Sequence, residues 1–303
     1  MRVSRSILVL PAALALMLSA CGGDPSRTEQ QPSGPSEEGP CASADGGDLL
    51  AEICEQGVLT VSTDPAYPPQ SSLNEKTGEF EGFDIDVATE IATRLGVKVA
   101  WEQPSWDVIT AGSWNGRWDI SVGSMTPTND RQQVLDFTPP YYFTPAVVAV
   151  HEDNTSIQDM ATDLDGTSVG VCGACTYEAF LDKSLDIKGY TFDFVVDDAD
   201  IRSYDTDTTA LQDLSLGDGT RLDAVMTSST TAQGFVDSGK PVKIAGDPVF
   251  YEPLSVAVDK KSQKDPASLV KALDDIVNEM HSDGTLSELS EQWYEGLDLT
   301  VKQ

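Results

Sequence analysis

The chain has 303 residues, 40% of them hydrophobic and 23% charged, as is ordinary for a globular protein. At about 150 residues per domain, this length predicts two lobes with a sizeable core. The 50 acidic residues outnumber the 19 Lys and Arg residues, giving a formal net charge of −31, which excludes a protein that binds nucleic acid because both would be anionic.

Residues 1–20 have the features of a secretory signal peptide. Two arginines precede an apolar run at residues 7–20 that is too short to span a bilayer comfortably. The run ends in LSAC at 18–21, which resembles a bacterial lipobox, in which small residues precede a cysteine that is lipidated. We therefore predict lipidation at Cys21, the alternative being an ordinary signal peptide followed by a chance cysteine.

Residues 21–40 are predicted to be a lipid-anchored, disordered linker. Positions 22–40 hold four Gly, four Pro and three Ser and no aliphatic residue, so they cannot bury enough apolar surface to fold. A coil of this length reaches roughly 24 Å, which suits a tether. No later segment has the roughly 18 consecutive apolar residues of a transmembrane helix, so we expect contact with the membrane through the N-terminal lipid only.

Four cysteines remain when Cys21 carries the lipid, and an even number in an oxidising compartment predicts two disulfides. Three pairings are possible, of which proximity in the sequence favours Cys41–Cys54 and Cys172–Cys175. A zinc site is disfavoured because only one pair has C-x-x-C spacing and both histidines are distant. A thioredoxin-like redox site would need a redox-enzyme context that the sequence does not show.

From residue 57 the chain alternates between strand-like and helix-like patterns. Apolar residues at Val87, Ile91 and Leu95 form one helical stripe, and Gly96 is a natural C-cap. The elements predicted for this half are strands at 57–63, 97–101 and 118–122 and helices at 84–95 and 106–113. Such alternation predicts βαβ units and a parallel sheet.

The same alternation restarts after residue 166. The predicted elements are strands at 167–171 and 222–226, helices at 175–183, 208–216 and 230–236, and closing helices at 267–280 and 286–293. Apolar segments at 145–150 and 253–258 flank this half and are predicted to carry the chain between two lobes. We expect one lobe at 41–145 plus 259–303 and the other at 146–258. Ligands bind at the carboxyl ends of such strands, so facing lobes create a cleft.

Binding a carboxylate calls for a guanidinium group. Five arginines follow residue 41. Four of them fit solvated surface positions: Arg94, Arg117, Arg202 and Arg221. The fifth, Arg131, follows a strand, a turn and Asn129, a predicted helix N-cap. A cation in the first turn of a helix opposes the helix dipole, a cost that a bound anion would reverse, so Arg131 is the candidate.

Residues 82–92 read GFDIDVATEIA, a glycine and an aromatic residue followed by alternating acidic and aliphatic residues. Over about residues 55–296 the chain resembles the polar amino acid family (family 3) of bacterial ABC-importer solute-binding proteins. The resemblance implies an α/β, two-lobed periplasmic-binding-protein-like fold of type II, with two crossover strands forming a hinge. It also implies a lipid-anchored protein on the extracytoplasmic face of the cell membrane that delivers a small ligand to an ABC permease. We expect a monomer without a cofactor.

The resemblance also implies which residues contact the ligand. The ligand aromatics of the family fall on Tyr67 and Trp106, whose faces could sandwich an aliphatic stem or a cation, the alternative being that both are core residues. Asp64 falls where members often hold a polar group of the ligand. The carboxylate clamp of the family falls on these positions: Gly123, Ser124, Thr126 and Arg131. The loop at 172–176, with the Thr176 hydroxyl, would complete the carboxylate shell.

The chain departs from the family pattern at three positions. Threonine is usual where Cys175 stands, and phenylalanine where Gln70 stands. Many members have an amine-binding aspartate where this chain has Ser228, which offers only a hydroxyl group. Either another acid binds the ligand's ammonium group, with Glu252 favoured over Asp64, or the ligand lacks a primary α-amine.

The leading functional prediction is therefore a binding protein for a polar amino acid or a related small zwitterion. A secreted dehydratase-like enzyme on the same fold, with Glu178 or Glu252 as general acid, is the first alternative. The sequence shows no nucleophile–base pair and no metal cluster, so we expect no enzyme. A ligand sensor for a membrane kinase is the second alternative, which sequence cannot separate from transport.

Overall fold

The computed structural model describes residues 39–44, 46–160 and 162–301. The predicted signal peptide, the lipidation at Cys21 and nearly all of the predicted linker lie outside these described residues. Within them, no helix combines the length and the apolar character that crossing a membrane requires.

The first half of the chain forms a parallel sheet with helices packed against it. Its elements are α1 (Leu49–Gln56), β1 (Val58–Ser62), β2 (Ala66–Tyr67), β3 (Ser71–Leu73), β4 (Phe80–Glu81), α2 (Phe83–Leu95), β5 (Lys98–Glu102), α3 (Trp106–Thr110), β6 (Ile120–Met125) and β7 (Leu135–Phe137). Strand β1 pairs in parallel with β5 and β6, while β2, β3 and β4 form a separate small antiparallel sheet. The strands and helices predicted here are present, with shifted ends. Helix α1 and the strands β2, β3, β4 and β7 were not predicted; these strands are only two or three residues long.

The second half repeats this arrangement. Its elements are β8 (Tyr142–His151), β9 (Ser168–Cys172), α4 (Thr176–Leu181), β10 (Asp200–Tyr204), α5 (Asp207–Leu214), β11 (Ala224–Ser228), α6 (Ser229–Asp237), β12 (Val242–Asp259), α7 (Ala267–Ser282) and α8 (Thr285–Trp293). Strand β9 pairs in parallel with both β10 and β11. The sequence analysis did not predict β10, because this edge strand is largely polar and carries no alternating apolar pattern.

Strands β8 and β12 are the two crossover strands, and they pair with each other in antiparallel orientation. Strand β8 also pairs with β11, and β12 pairs with β6 and β7, all antiparallel. The strand order is β10-β9-β11-β8-β12-β6-β1-β5. The predicted crossover segments are thus confirmed, but the sheet is mixed rather than wholly parallel, because the chain enters and leaves the second half in opposite directions.

Each half buries apolar residues of its own. Helix α2 contributes Phe83, Val87, Ile91 and Leu95 to a core shared with β1, β6, α1, α7 and α8. In the second half, apolar residues of β8, β9 and β11 pack on one side with α4, and on the other side with α5 and α6. We refer to the half built on β1, β5 and β6 as the first lobe and to that built on β9, β10 and β11 as the second. The residue boundaries of the lobes stay a prediction.

The glycine that opens the GFDIDVATEIA motif is required by close packing. Gly82 has φ 138°, and a Cβ there would lie 2.2 Å from the carbonyl oxygen of Gln70. The close approach lets the first amides of α2 bond to the preceding segment, since the amide of Phe83 donates to Pro69 and that of Asp84 donates to Gln70. The motif therefore fixes where α2 begins.

Two disulfides are present, and they are the pairs that proximity in the sequence favoured. Cys41 bonds to Cys54, with Cα atoms 5.6 Å apart, and joins the short 3-10 turn at Pro40–Ser43 to α1. Cys172 bonds to Cys175, with Cα atoms 5.5 Å apart, and closes the loop between β9 and α4.

Candidate ligand-binding site

A cleft lies where the loops at the carboxyl ends of parallel strands from both lobes meet. The first lobe supplies the segments after β1 and β6 and the start of α3, and the second supplies the starts of α4 and α5. Strand β12 supplies Glu252. The lining residues are Asp64, Tyr67, Trp106, Gly123, Ser124, Thr126, Arg131, Cys172, Cys175, Thr176, Tyr177, Asp205, Thr206, Asp207 and Glu252. Ten of the eleven predicted ligand-contacting residues line it, and Ser228 does not.

Arg131 is buried at 8% exposure and bonds to both lobes. Its Nη1 donates to the carbonyl of Thr126 and its Nη2 to the carbonyl of Ala174, each at 2.9 Å. The guanidinium carbon lies 5.2 Å from the ring centroid of Trp106, within cation–π range. Burial lowers the pKa of Arg131 to about 10, against the opposing effect of the Glu252 charge, so the group stays positive near neutral pH. It retains N–H donors for a carboxylate.

The prediction of a helix after Asn129 was wrong. Residues Arg131–Gln133 form a single 3-10 turn, and the Asn129 side chain donates to Oδ2 of Asp186 at 2.6 Å instead of capping it. Because a three-residue turn has little macrodipole, the dipole argument for Arg131 does not apply. Its environment is set by the carbonyls and the ring that surround it.

Glu252 accepts hydrogen bonds from three hydroxyl groups of the cleft and is only 2% exposed. The hydroxyls of Thr126 and Thr176 donate to Oε2 at 2.7 and 2.6 Å, and that of Tyr177 donates to Oε1 at 2.8 Å. Thr126 belongs to the first lobe, and Thr176 and Tyr177 to the second. The two threonine hydroxyls predicted for the ligand's carboxylate are therefore bonded to Glu252, which ties the lobes together.

A hydrogen bond to Asp84, a residue that does not line the cleft, holds Ser124 in place. The Ser124 hydroxyl donates to Oδ2 of Asp84 at 2.7 Å, and its amide donates to the hydroxyl of Tyr141 at 3.0 Å. Tyr141 in turn donates to Oδ1 of Asp84 at 2.7 Å. Burial raises the pKa of Asp84 to about 7 despite these two donors. No role in the site was predicted for Asp84 from the sequence, although its place in the GFDIDVATEIA motif was a usable signal.

The disulfide loop of the second lobe carries the carbonyl that Arg131 contacts. Ala174 lies between the two bonded cysteines and has φ 59°. Its carbonyl also accepts from Nε1 of Trp106 at 3.4 Å. The Cys172–Cys175 disulfide therefore restrains the segment that contacts Arg131 and Trp106 of the first lobe.

Ser228 lies behind the cleft and caps α6. Its hydroxyl accepts from the amide of Thr231 at 3.2 Å and from Nε2 of Gln70 at 3.3 Å. Gln70 belongs to the first lobe, so this departure from the family pattern forms a buried polar contact between lobes. A hydroxyl engaged as a helix cap offers no charge to a ligand.

Two of the four lining acids were not predicted: Asp205 is exposed, and Asp207 is the buried one. It is 5% exposed, it is the first residue of α5, and its Oδ1 accepts no hydrogen bond from any described residue. Burial, together with the charges of Asp64 and Glu252, raises its pKa to about 7, against the lowering effect of the Thr227 hydroxyl. The available signal was an acid between a strand and a helix, but β10 had not been predicted, so its loop was not assigned to the cleft.

Among the described residues of the cleft, Arg131 carries the only positive charge, against four carboxyl groups. Oδ1 of Asp64 accepts from the amide of Ala66 at 2.8 Å, and burial raises its pKa. A carboxylate oxygen of Asp207 lies within 4.8 Å of both sulfurs of the disulfide. Those sulfurs are bonded to each other, so they are not thiolate metal ligands. One cation among acids suits a ligand with one carboxylate and at least one cationic group.

Two α/β lobes, joined by two crossover strands and facing each other across a polar cleft, define a two-lobed solute-binding protein of the type II periplasmic class. The family model of "Bacterial extracellular solute-binding proteins, family 3" matches residues 59–296. The chain therefore belongs to that family.

Relatives with stated ligands are similar over most of the chain. The L-cystine-binding protein TcyJ of Escherichia coli K12 is 31% identical over 253 residues, covering 83% of this chain and 88% of that protein. An ancestral arginine-binding protein bound to arginine superposes with a TM-score of 0.67 at 32% identity, covering 78% of this chain and 98% of that one. The ancestral amino acid-binding protein AncCDT-1, a precursor of cyclohexadienyl dehydratase, has a TM-score of 0.69 at 30% identity, covering 81% and 99%. These relatives are binding proteins.

Proposed function

We propose that this protein binds an α-amino acid, or a similar small zwitterion, between its two lobes and delivers it to an ABC permease. The observation that carries the proposal is the position of Arg131. It is a buried cation among acidic residues, and its guanidinium contacts both lobes. A guanidinium in this setting binds a carboxylate with two parallel N–H···O bonds.

Five of the lining residues then take the roles that the sequence predicted for them, with Gly123 and Ser124 acting as one segment. Arg131 binds the carboxylate together with the segment of Gly123 and Ser124, and Tyr67 and Trp106 flank the side chain of the ligand. The remaining predicted contacts are Asp64, Thr126, Cys175, Thr176 and Glu252. A ligand that bridges the lobes favours the closed arrangement, which a permease can distinguish from the open one.

A lipid on Cys21 would keep the protein at the extracytoplasmic face of the cell membrane, within reach of the permease. The support for this anchor is the lipobox-like LSAC at 18–21 and the Gly- and Pro-rich segment that follows it. We also propose that the protein acts as a monomer, without cofactor or metal.

The hydrogen bonds around the two candidate general acids favour binding over catalysis. Glu252 accepts from three hydroxyls. Glu178 accepts from the amide of Ala174 and the hydroxyl of Ser203, and it does not line the cleft. A general acid must present a proton to its substrate, whereas both carboxylates act as acceptors within the protein.

A thermal-shift screen tests the proposal. The panel contains L-cystine, L-arginine, L-glutamine, a polyamine, a dicarboxylate and glycine betaine, each with wild-type protein and with R131A. We expect at least one α-amino acid to raise the melting temperature, since a ligand at 100 times its Kd stabilises by about 2.7 kcal/mol. The shift should vanish in R131A. Stabilisation by the polyamine or the dicarboxylate alone, or an equal shift in R131A, would contradict the proposal.

A further inference from the structure

Of the four acids that line the cleft, Asp205 is exposed, and the hydrogen bonds of the other three distinguish them. Glu252 has both oxygens bonded to hydroxyl groups. Asp64 is only half-buried and has one oxygen bonded to the backbone amide of Ala66. Asp207 is buried, lines the cleft, and has one oxygen that accepts nothing from the described residues.

A buried carboxyl group with an unsatisfied oxygen is costly unless a partner completes it. The titratable groups that act electrostatically on Asp207 are Asp64 and Glu252, and it acts in turn on the phenols of Tyr67 and Tyr177. None of these is a cation. The described residues therefore supply no positive charge to Asp207, although the cleft that Asp207 lines is where a ligand would lie.

We infer that the carboxylate of Asp207, which lines the cleft, binds the α-ammonium group of the ligand. The inference rests on the proposed function, because it requires a ligand that carries an ammonium group as well as the carboxylate bound by Arg131. Ser228 is already engaged as the cap of α6, so Asp207 supplies the negative charge from the start of α5.

In this assignment Glu252 has a different role from that of Asp207. Its three hydroxyl donors come from both lobes, so Glu252 organises the closed cleft and Asp207 recognises the cation. It also explains why no cation among the described residues pairs with Asp207. A salt bridge within the protein would satisfy the carboxylate in the absence of ligand and remove its affinity for an ammonium group.

The test compares amino acids with analogues that lack the α-amine. The pairs are L-arginine with 5-guanidinopentanoic acid, L-glutamine with 4-carbamoylbutanoic acid, and L-cystine with 3,3′-dithiodipropionic acid. Affinities are measured by calorimetry for wild-type protein, D207N, E252Q and D64N. D213N is the matched control, because Asp213 lies on the same helix, outside the cleft, and pairs with Arg221.

We expect D207N to weaken the bound amino acid at least about 30-fold and its analogue by less than about three-fold. D213N should leave both affinities unchanged. Equal losses for the amino acid and its analogue in D207N would overturn the inference. So would a selective loss in E252Q or D64N with none in D207N. If wild-type protein binds an amino acid and either of these results is obtained, only the inference fails; if it binds neither an α-amino acid nor another small zwitterion, the proposed function fails and the inference fails with it.

Proton release gives a second readout that a merely structural role would not produce. An ammonium group beside Asp207 lowers the pKa of this carboxyl from about 7, so binding near pH 7 should release a proton. Calorimetry in buffers with different ionisation enthalpies measures this release. We expect it in wild-type protein and D213N but not in D207N, and equal release in all three would overturn the inference.

Discussion

The Nη2 atom of Arg131 donates a hydrogen bond of 2.9 Å to the carbonyl of Ala174, which joins the first lobe to the disulfide loop of the second. The guanidinium that we propose for the ligand's carboxylate is therefore also a contact between the lobes. Ligand capture and lobe closure share one side chain, and this predicts that changes at Arg131 and in the loop affect affinity together.

Replacing Arg131 with Ala should weaken amino acid binding by about 2–5 kcal/mol, because the ligand's carboxylate then loses its charged partner. The fold should survive, since the side chain lies in the cleft rather than in either apolar core. R117A is the control, because Arg117 lies outside the cleft, over the ring of Trp118 at 4.6 Å. Calorimetry that finds equal losses in both variants would show that Arg131 is the wrong arginine.

The two disulfides should differ in their effects. Replacing Cys172 and Cys175 with Ser should reduce affinity, because the carbonyl of Ala174 is no longer restrained, and should lower the free energy of unfolding by about 2 kcal/mol. Replacing Cys41 and Cys54 should lower it by about 3 kcal/mol and leave affinity unchanged, since the longer loop lies outside the cleft. Urea denaturation and calorimetry measure both quantities. Unchanged affinity in the first variant would contradict this prediction.

Stability of the ligand-free protein should fall as pH rises from about 4 to about 7. Asp84 and Asp207, each with a pKa near 7 in the fold and an ordinary value of 3.8, bind more protons in the folded than in the unfolded state across this interval. The unfolding free energy therefore decreases with pH there, by up to about 4 kcal/mol for each group.

Urea denaturation across this pH range should give a flatter profile for D84N than for wild-type protein. D213N should follow wild-type protein, because the pKa of Asp213 is lowered by Arg221 and its effect falls at more acidic pH. A D84N profile as steep as that of wild-type protein would mean that Asp84 ionises normally in the fold.

Replacing Cys21 with Ala should release the protein into the medium, because the predicted lipid is its only expected attachment to the membrane. Immunoblotting of membrane and medium fractions measures the distribution. Mass spectrometry of the membrane fraction should show the lipid on Cys21 as the new N-terminus. An unmodified N-terminus elsewhere in that fraction would contradict the prediction.

Local patterns in the sequence were sufficient to predict most of the fold. The apolar stripe of Val87, Ile91 and Leu95 and the C-cap at Gly96 predicted α2, because a helix with one buried face repeats with a period that is visible in the sequence. The two apolar crossover segments identified β8 and β12 for a similar reason. The polar edge strand β10 lacked such a pattern and was missed.

By itself, the sequence determined the family, the two-lobed α/β fold, the favoured pairing of the cysteines, and Arg131 as the candidate cation. Each of these is recorded in a motif, a spacing or a local contrast of residue types. Only the tertiary structure decided how the polar groups of the cleft are paired. Glu252 and Asp207 are both acids in the sequence. The sequence could not show that three hydroxyls from the two lobes donate to Glu252, whereas Oδ1 of Asp207 accepts no hydrogen bond from the described residues. Such pairing depends on contacts between residues far apart in the chain, which no local pattern encodes.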